Sequence, residues 1–280
     1  MPKYLHTAQL LRLDEYGNKK KLSKRDMGAN MLDYHRLGYA PACVIEYLFT
    51  ILNSNYEEWH MQNPEKDYQD FPFSIKKMST SGALFDPVKL NDVSKNMLSK
   101  MKAAEVYALA FKWAKDFDAP FYQQLSADPA YAERILNIGR GGKKPRKDYA
   151  TIPELKAFIS FFYDDTFVIE DDYPVQFDKH DIEQTLLLYM NRYQFSDDQT
   201  AWFERIKDIA EQLGFASDMK AYKSQPEQYK GSVSDISMFI RVALTGRVNS
   251  PDLYEVTQIL GQTRSSSRIQ NMINRLKEEK

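Results

Sequence analysis

Long segments of this chain set apolar residues three or four positions apart, and only 11 Gly and 12 Pro interrupt them in 280 residues. That spacing lays apolar side chains along one face of a helix, and so few breakers leave little room for the repeated turns of an all-β fold. The pattern predicts a mainly α protein. From Leu90 to Phe117 the period runs through Val93, Met97, Met101, Val106, Leu109 and Trp113. Pro41 stands in the first turn of the apolar run ACVIEYLFTIL, where its missing N–H is harmless. Further on, DIEQTLLLYMNRY and SDDQTAWFERIKDIAEQLGF read as two helices joined at Ser196, the expected N-cap of the second. SVSDISMFIRVALTG follows. In SPDLYEVTQILG the expected N-cap is Ser250, the first helical residue Pro251, and the stop Gly261.

The front of the chain breaks this pattern. Residues 1–28 read as strand and turn, with AQLLRLDEYGNKKKLS as a hairpin that reverses at Tyr16-Gly17-Asn18. Residues 53–86 are punctuated by proline, with a long loop at NPEKDYQDFPF. The expected architecture is a small α+β region over residues 1–100, then an all-helical part in two sub-bundles, 101–195 and 196–280. The boundaries follow a shift in composition near 100 and the turn near 195.

Bulk properties narrow the function classes. Hydrophobic residues make up 43% of the chain, enough for a sizeable core. With 38 basic against 39 acidic residues, a polyanionic partner has to be met by local patches. One cysteine, Cys43, forms no internal disulfide and sits in an apolar run, which reads as an inert core thiol. No apolar run approaches the ~20 residues of a membrane span, and Met1–His6 lacks the apolar core of a signal peptide. A cytoplasmic protein with no membrane or DNA partner is expected.

Two loops concentrate positive charge. Lys19–Asp26, KKKLSKRD, holds five cations and one serine. Its ammonium and guanidinium groups can bind phosphate through charge-assisted hydrogen bonds, Ser23 adds a neutral donor, and Leu22 can anchor the loop. Gly17 and Gly28 bracket it as hinges. Such a loop suits a leaving group whose charge grows in the transition state. Gly139–Asp148, GRGGKKPRKD, is the second, with Arg140, Lys143, Lys144, Arg146 and Lys147. The acidic stretch Asp164, Asp165, Glu170, Asp171, Asp172 and Asp178 lacks the spacing and glycine of a calcium loop and reads as a solvated turn. Phe158, Phe161, Phe162 and Tyr163, with Trp59, Trp113 and Trp202, read as helix core, and His35 as surface packing. No metal-ligand spacing or Ser/His/Asp set is present.

KLSKR resembles the KMSKS-type signature of class I aminoacyl-tRNA synthetases in its glutamyl form. Pro2–His6 is similar to the strand that enters this loop in that family, and YHRLGYAPACVIEYLFTIL to the helix pair that leaves it. SGALFDPVKLNDVS, with Phe85, Asp86, Lys89 and Leu90, and RVALTGRVNSPDLYEVTQILG, in the anticodon-binding region, follow in family order. The resemblance implies the tRNA-binding half of a bacterial-type glutamyl-tRNA synthetase: loop and stem-contact region, then a helical anticodon-binding domain. It implies that Lys21, Leu22, Ser23, Lys24 and Arg25 form the ATP loop, with Lys24 and Lys21 catalytic and Lys24 stabilising the triphosphate. It further implies tRNA contacts at Lys143, Lys144, Arg146 and Lys147 and at Arg241, Arg247, Arg264 and Arg268. Asp26 departs from the family pattern and, on the sequence, weakens the loop's field for phosphate.

The family's other ATP-binding element, a His-x-Gly-His segment in a Rossmann half, is not among His6, His35, His60 and His180. The expectation is a C-terminal half that meets glutamate, and ATP with its magnesium, through a nucleotide-binding half. Alone it binds no nucleotide tightly and does not ligate. Glutamate-specific tRNA is the expected partner. The rivals are a stand-alone tRNA-binding module and a helical interaction protein whose basic loops are plain surface.

Overall fold

The computed structural model describes residues 7–26, 28–78 and 82–278. The chain forms two compact units. The first takes the described residues up to Ala132 together with Arg140–Phe158, and the second takes Glu133–Gly139 and Ile159 onward.

In the first unit the hairpin is present. Strand β1 (Leu10–Leu13) runs antiparallel to β2 (Lys19–Lys21), with Arg12 opposite Lys20. The Asp14 carboxylate closes the turn by accepting from the N–H groups of Tyr16 and Asn18, and it pairs with Lys20 at 2.9 Å. A third strand, β3 (Ala83–Leu84), runs parallel to β1. At two residues it is too short to leave a periodic signal. Pro2–His6, expected to enter the loop, lies outside the described residues.

Helix α1 (Met31–Arg36) leads to α2 (Pro41–Leu52), which starts at Pro41 as expected and buries Cys43, Val44 and Tyr47. Burial pushes the Cys43 thiol up to about 11, in keeping with an inert core thiol. Helix α3 (Tyr56–Gln62) follows, and α4 (Pro87–Lys100) packs on α2. The single helical run expected from Leu90 to Phe117 is in fact two helices. Met101 and Lys102 are extended, and the Lys102 N–H donates to the Glu105 carboxylate, which starts α5 (Ala103–Phe117) afresh. Helices α6 (Ala119–Ala127), α7 (Pro129–Leu136) and α8 (Ile152–Ile159) come next. The core around the hairpin base gathers Tyr34, Tyr39, Val44, Tyr47, Phe85 and Leu90.

The second unit is a bundle of α9 (Lys179–Arg192), α10 (Gln199–Leu213), α12 (Val233–Thr245) and α13 (Leu253–Glu278), with the short α11 (Met219–Ser224) between. Two expected helix starts shift. Asp198, not Ser196, caps α10, its carboxylate accepting from the Ala201 N–H at 2.8 Å. Asp252, not Ser250, caps α13 through the Glu255 N–H, so Pro251 precedes the helix. The buried Ser250 hydroxyl instead accepts from Arg241 Nε and donates to the Pro251 carbonyl. The expected stop at Gly261 holds: at φ 76°, ψ 167° it ends the first segment of α13, and a second helical segment follows it. In each capping case a carboxylate two residues downstream outcompetes the serine, because an anion at a helix N-terminus also meets the dipole. Among the described residues no helix is long and apolar enough to cross a membrane.

Candidate functional site

The KLSKR loop is held at both ends and presented at its tip. Lys21 ends β2, and the Leu22 N–H donates to the Leu10 carbonyl at 2.9 Å while its side chain packs against the core. This is the anchor the sequence suggested. Ser23 to Asp26 form a turn in which the Asp26 N–H donates to the Ser23 carbonyl at 3.0 Å. Lys21, Lys24 and Arg25 are exposed, and among the described residues no carboxylate pairs with them.

Asp26 is not a bare charge beside the loop, which corrects the sequence reading. Its Oδ2 accepts from the Ser23 N–H at 2.7 Å and from Arg12 Nε at 2.8 Å. The Ser23 N–H bond, together with the Arg12 guanidinium, holds the Asp26 carboxyl below the usual carboxylate range. Arg12 was not singled out from the sequence: it lies 14 residues away and reaches Asp26 only because β1 runs beside β2.

Gly28 does not act as a free hinge. It takes φ +92°, its carbonyl accepts the Tyr34 hydroxyl at 3.0 Å, and a Cβ there would lie 2.5 Å from the buried Phe85 ring. Gly28→Ala is expected to destabilise the first unit by about 2–4 kcal/mol, through left-handed strain and overpacking together. A shift of the urea midpoint at constant slope would measure it. Beyond Phe85, the Asp86 carboxylate caps α4 by accepting from the Val88 and Lys89 N–H groups, and Lys89 pairs with Glu57. The matched Phe-Asp…Lys-Leu segment thus serves the fold beneath the loop.

The second basic loop divides its cations. The Arg140 guanidinium turns inward and donates to the Leu98 and Met101 carbonyls at 2.6 and 2.8 Å and to the Tyr149 hydroxyl, closing the C-terminal end of α4. Arg146 makes two 2.8 Å bonds to Asp148. Lys143, Lys144 and Lys147 are exposed, and among the described residues they make no ion pair.

The arginines of the second unit meet the acidic stretch, whose carboxylates are mostly exposed, as read from the sequence, but several of which are ion-paired. Arg247 pairs with Glu170, donates to the Ser160 hydroxyl at 3.1 Å and lies over the Phe161 ring. Arg264 and Arg268 both reach Asp164, at 3.0 and 2.8 Å, and Arg275 reaches Asp172. Partial burial opposes ionisation of Asp164, yet the two guanidiniums hold its carboxyl below the ordinary range. Asp171 accepts from the Val248 N–H, and Asp178 caps α9 through the His180 N–H. Gly246, left-handed at the end of α12, lets this segment close in: a Cβ there would sit 2.1 Å from the Val168 carbonyl.

Arg268 departs furthest from its expected RNA contact. It is 5% exposed, donates to the Phe161 and Leu244 carbonyls at 2.7 and 2.8 Å, and stacks on Phe167. Its guanidinium is committed to the fold. Arg241 is half-buried and bonded to Ser250. Phe161, Phe162 and Trp202 are buried as read, whereas Phe158, Tyr163, Trp59 and Trp113 are half-buried. His35 packs edge-on against Phe117. Among the described residues no group of three or more His, Cys, Asp or Glu side chains could hold a metal ion.

Residues 105–273 match the family described as the anticodon binding domain. The chain is 47% identical over 274 residues to a glutamate–tRNA ligase of Acetivibrio thermocellus, covering 98% of this chain and 50% of that protein. It is 42% identical over 273 residues to one of Clostridium perfringens, covering 96% and 50%. The chain thus spans about half the length of the curated relatives it matches. A solved glutamate tRNA ligase from Elizabethkingia meningosepticum, in complex with its amino acid, superposes with a TM-score of 0.59 at 17% identity, over 99% of this chain and 52% of that one.

Proposed function

Because the chain belongs to the anticodon-binding-domain family, we propose that it is the C-terminal, tRNA-binding half of a glutamate–tRNA ligase, which attaches glutamate to tRNA through glutamyl-adenylate. The observation that carries this reading is a KLSKR loop whose tip cations stand exposed on a hairpin pinned to a buried core, in one chain with a helical unit of that family. ATP, with its magnesium ion, enters as substrate alongside glutamate. Lys24 meets the triphosphate as pyrophosphate leaves, with Lys21, Ser23 and Arg25 beside it and Leu22 as the anchor.

The 280 residues hold no His-x-Gly-His segment to seat the nucleotide. The chain alone therefore does not charge tRNA, since the gain from positioning two substrates requires both halves. Glutamate-specific tRNA is the macromolecular partner. Lys143, Lys144 and Lys147 touch its phosphates, and Arg241, Arg247 and Arg264 line the face that meets the anticodon loop.

Titrating the chain with transfer RNA across a salt series tests this. Binding should weaken steeply with salt, and replacing Lys143, Lys144 and Lys147 together by alanine should reduce the log–log slope by about 2–3, at roughly 0.7–0.9 per phosphate contact. Aminoacylation should appear only once a nucleotide-binding half is supplied. Absence of salt-dependent tRNA binding would sink the reading. Binding without charging in the presence of that half would leave a stand-alone tRNA-binding module.

A further inference from the structure

We propose that Asp26 and Arg12 are positioning residues of the nucleotide loop: together they close the Ser23–Asp26 turn and fix the direction in which Lys24 and Arg25 project. The inference rests on the ligase reading above, and it assigns a role to a residue that the sequence marked as a liability.

The closure is reciprocal. The Asp26 N–H donates to the Ser23 carbonyl, and the Asp26 carboxylate accepts from the Ser23 N–H at 2.7 Å. With first and fourth residues bonded in both directions, the two central residues of the turn, Lys24 and Arg25, can only point outward. A further bond, from the Arg25 N–H to the Ser23 hydroxyl at 3.4 Å, stiffens the same turn. Arg12 then ties the turn to the sheet. Its backbone is fixed in β1 opposite Lys20, and its Nε reaches the same Asp26 oxygen at 2.8 Å. Leu22, between sheet and turn, is bonded to Leu10 and packed on the core.

The pair also sets the charge. Unbalanced, the Asp26 carboxylate would cancel one of the three cations Lys21, Lys24 and Arg25. Balanced by Arg12, it leaves all three for phosphate while still holding the backbone. An asparagine at 26 could accept the Ser23 N–H but would bind the guanidinium less strongly, and an alanine could do neither. Arg12 and Asp26 need not touch the nucleotide. They act through Lys24 and Arg25, and an outward shift of the tip by about 1 Å is enough to cost on the order of a hundredfold in rate.

The test uses the complete two-half enzyme and ATP–pyrophosphate exchange, beside amide exchange on the 280-residue chain. Asp26→Ala should lower kcat about a hundredfold with KM for ATP nearly unchanged, as expected when an interaction acts only in the transition state. Asp26→Asn should lose less, because its amide oxygen still holds the Ser23 N–H. Arg12→Ala strands a carboxylate beside the phosphates, so adding Asp26→Asn to it should recover part of the rate. In the chain, Asp26→Ala should speed amide exchange at Ser23 more than tenfold, with melting temperature and tRNA binding unaltered, effects a purely structural residue would not separate. Equal rates for Asp26→Ala and the parent, a loss wholly in KM, or unchanged exchange at Ser23 overturns the proposal. If the parent enzyme, supplied with ATP, glutamate and tRNA together, shows neither pyrophosphate exchange nor charging, the ligase reading fails by itself, and the Ser23 amide alone decides whether the staple exists.

Discussion

With Lys24 replaced by alanine, the complete enzyme is expected to form glutamyl-adenylate about 10²–10³-fold more slowly, the loss seen when one preorganised donor is removed from a developing charge. Lys24 is the second residue of a turn whose ends are bonded to each other, and it is exposed with no carboxylate against it among the described residues. Truncating it breaks no hydrogen bond or ion pair among the described residues, so stability should stay within about 0.5 kcal/mol of the parent. The loss then belongs to the chemical step. It should appear in kcat of ATP–pyrophosphate exchange at saturating ATP, with the tRNA dissociation constant unchanged. Lys24→Arg should recover only part, since a planar guanidinium on a longer reach does not place its charge where a compact ammonium does. An unchanged kcat in Lys24→Ala would move the phosphate contact to Lys21 or Arg25.

What the sequence disclosed and what it withheld divide along one line, the range of the interaction involved. Helix periodicity is local, so the positions of α2, α10 and α12 could be read from apolar spacing, as could the Pro41 start and the Tyr16–Asn18 reversal. Capping is also local, yet Ser196 and Ser250 were misplaced by two residues, because aspartates at 198 and 252 compete for the same N–H groups and carry charge to the helix dipole. The KLSKR loop was legible because its residues are contiguous. Its bracing was not, because Arg12 and Asp26 meet across a hairpin.

Long-range pairing was invisible for the same reason. Glu170 and Arg247 lie 77 residues apart, and Asp164 and Arg268 lie 104 apart, so the acidic stretch and the arginines read as two surfaces when they are one ion-paired seam. Arg140 belongs with them. Its sequence neighbours are solvated lysines, but its guanidinium closes the end of α4. Composition alone could not sort these inward-turned cations from the exposed lysines, since the two kinds stand within a few residues of each other.

Arg268→Met puts that sorting to a decisive test and is expected to destabilise the second unit by about 2–5 kcal/mol. The mutation removes the donors of the Phe161 and Leu244 carbonyls, and a buried acceptor left unsatisfied costs roughly 1–3 kcal/mol. Methionine refills most of the volume over Phe167, so cavity formation adds little. The neighbouring pair gives the contrast. Arg264 is half-exposed, shares the largely exposed Asp164 and makes one 3.2 Å bond to the part-buried Phe162 carbonyl, so Arg264→Ala should cost about 1–2 kcal/mol. Chemical denaturation of both variants supplies the stabilities, and tRNA titration at a temperature where both remain folded supplies the affinities. A buried guanidinium that holds the bundle predicts a large stability loss for Arg268→Met with near-parental tRNA affinity in the folded fraction. Parental stability with lost binding would instead mean that the guanidinium swings out to the RNA, and that the two carbonyls find other donors when it leaves.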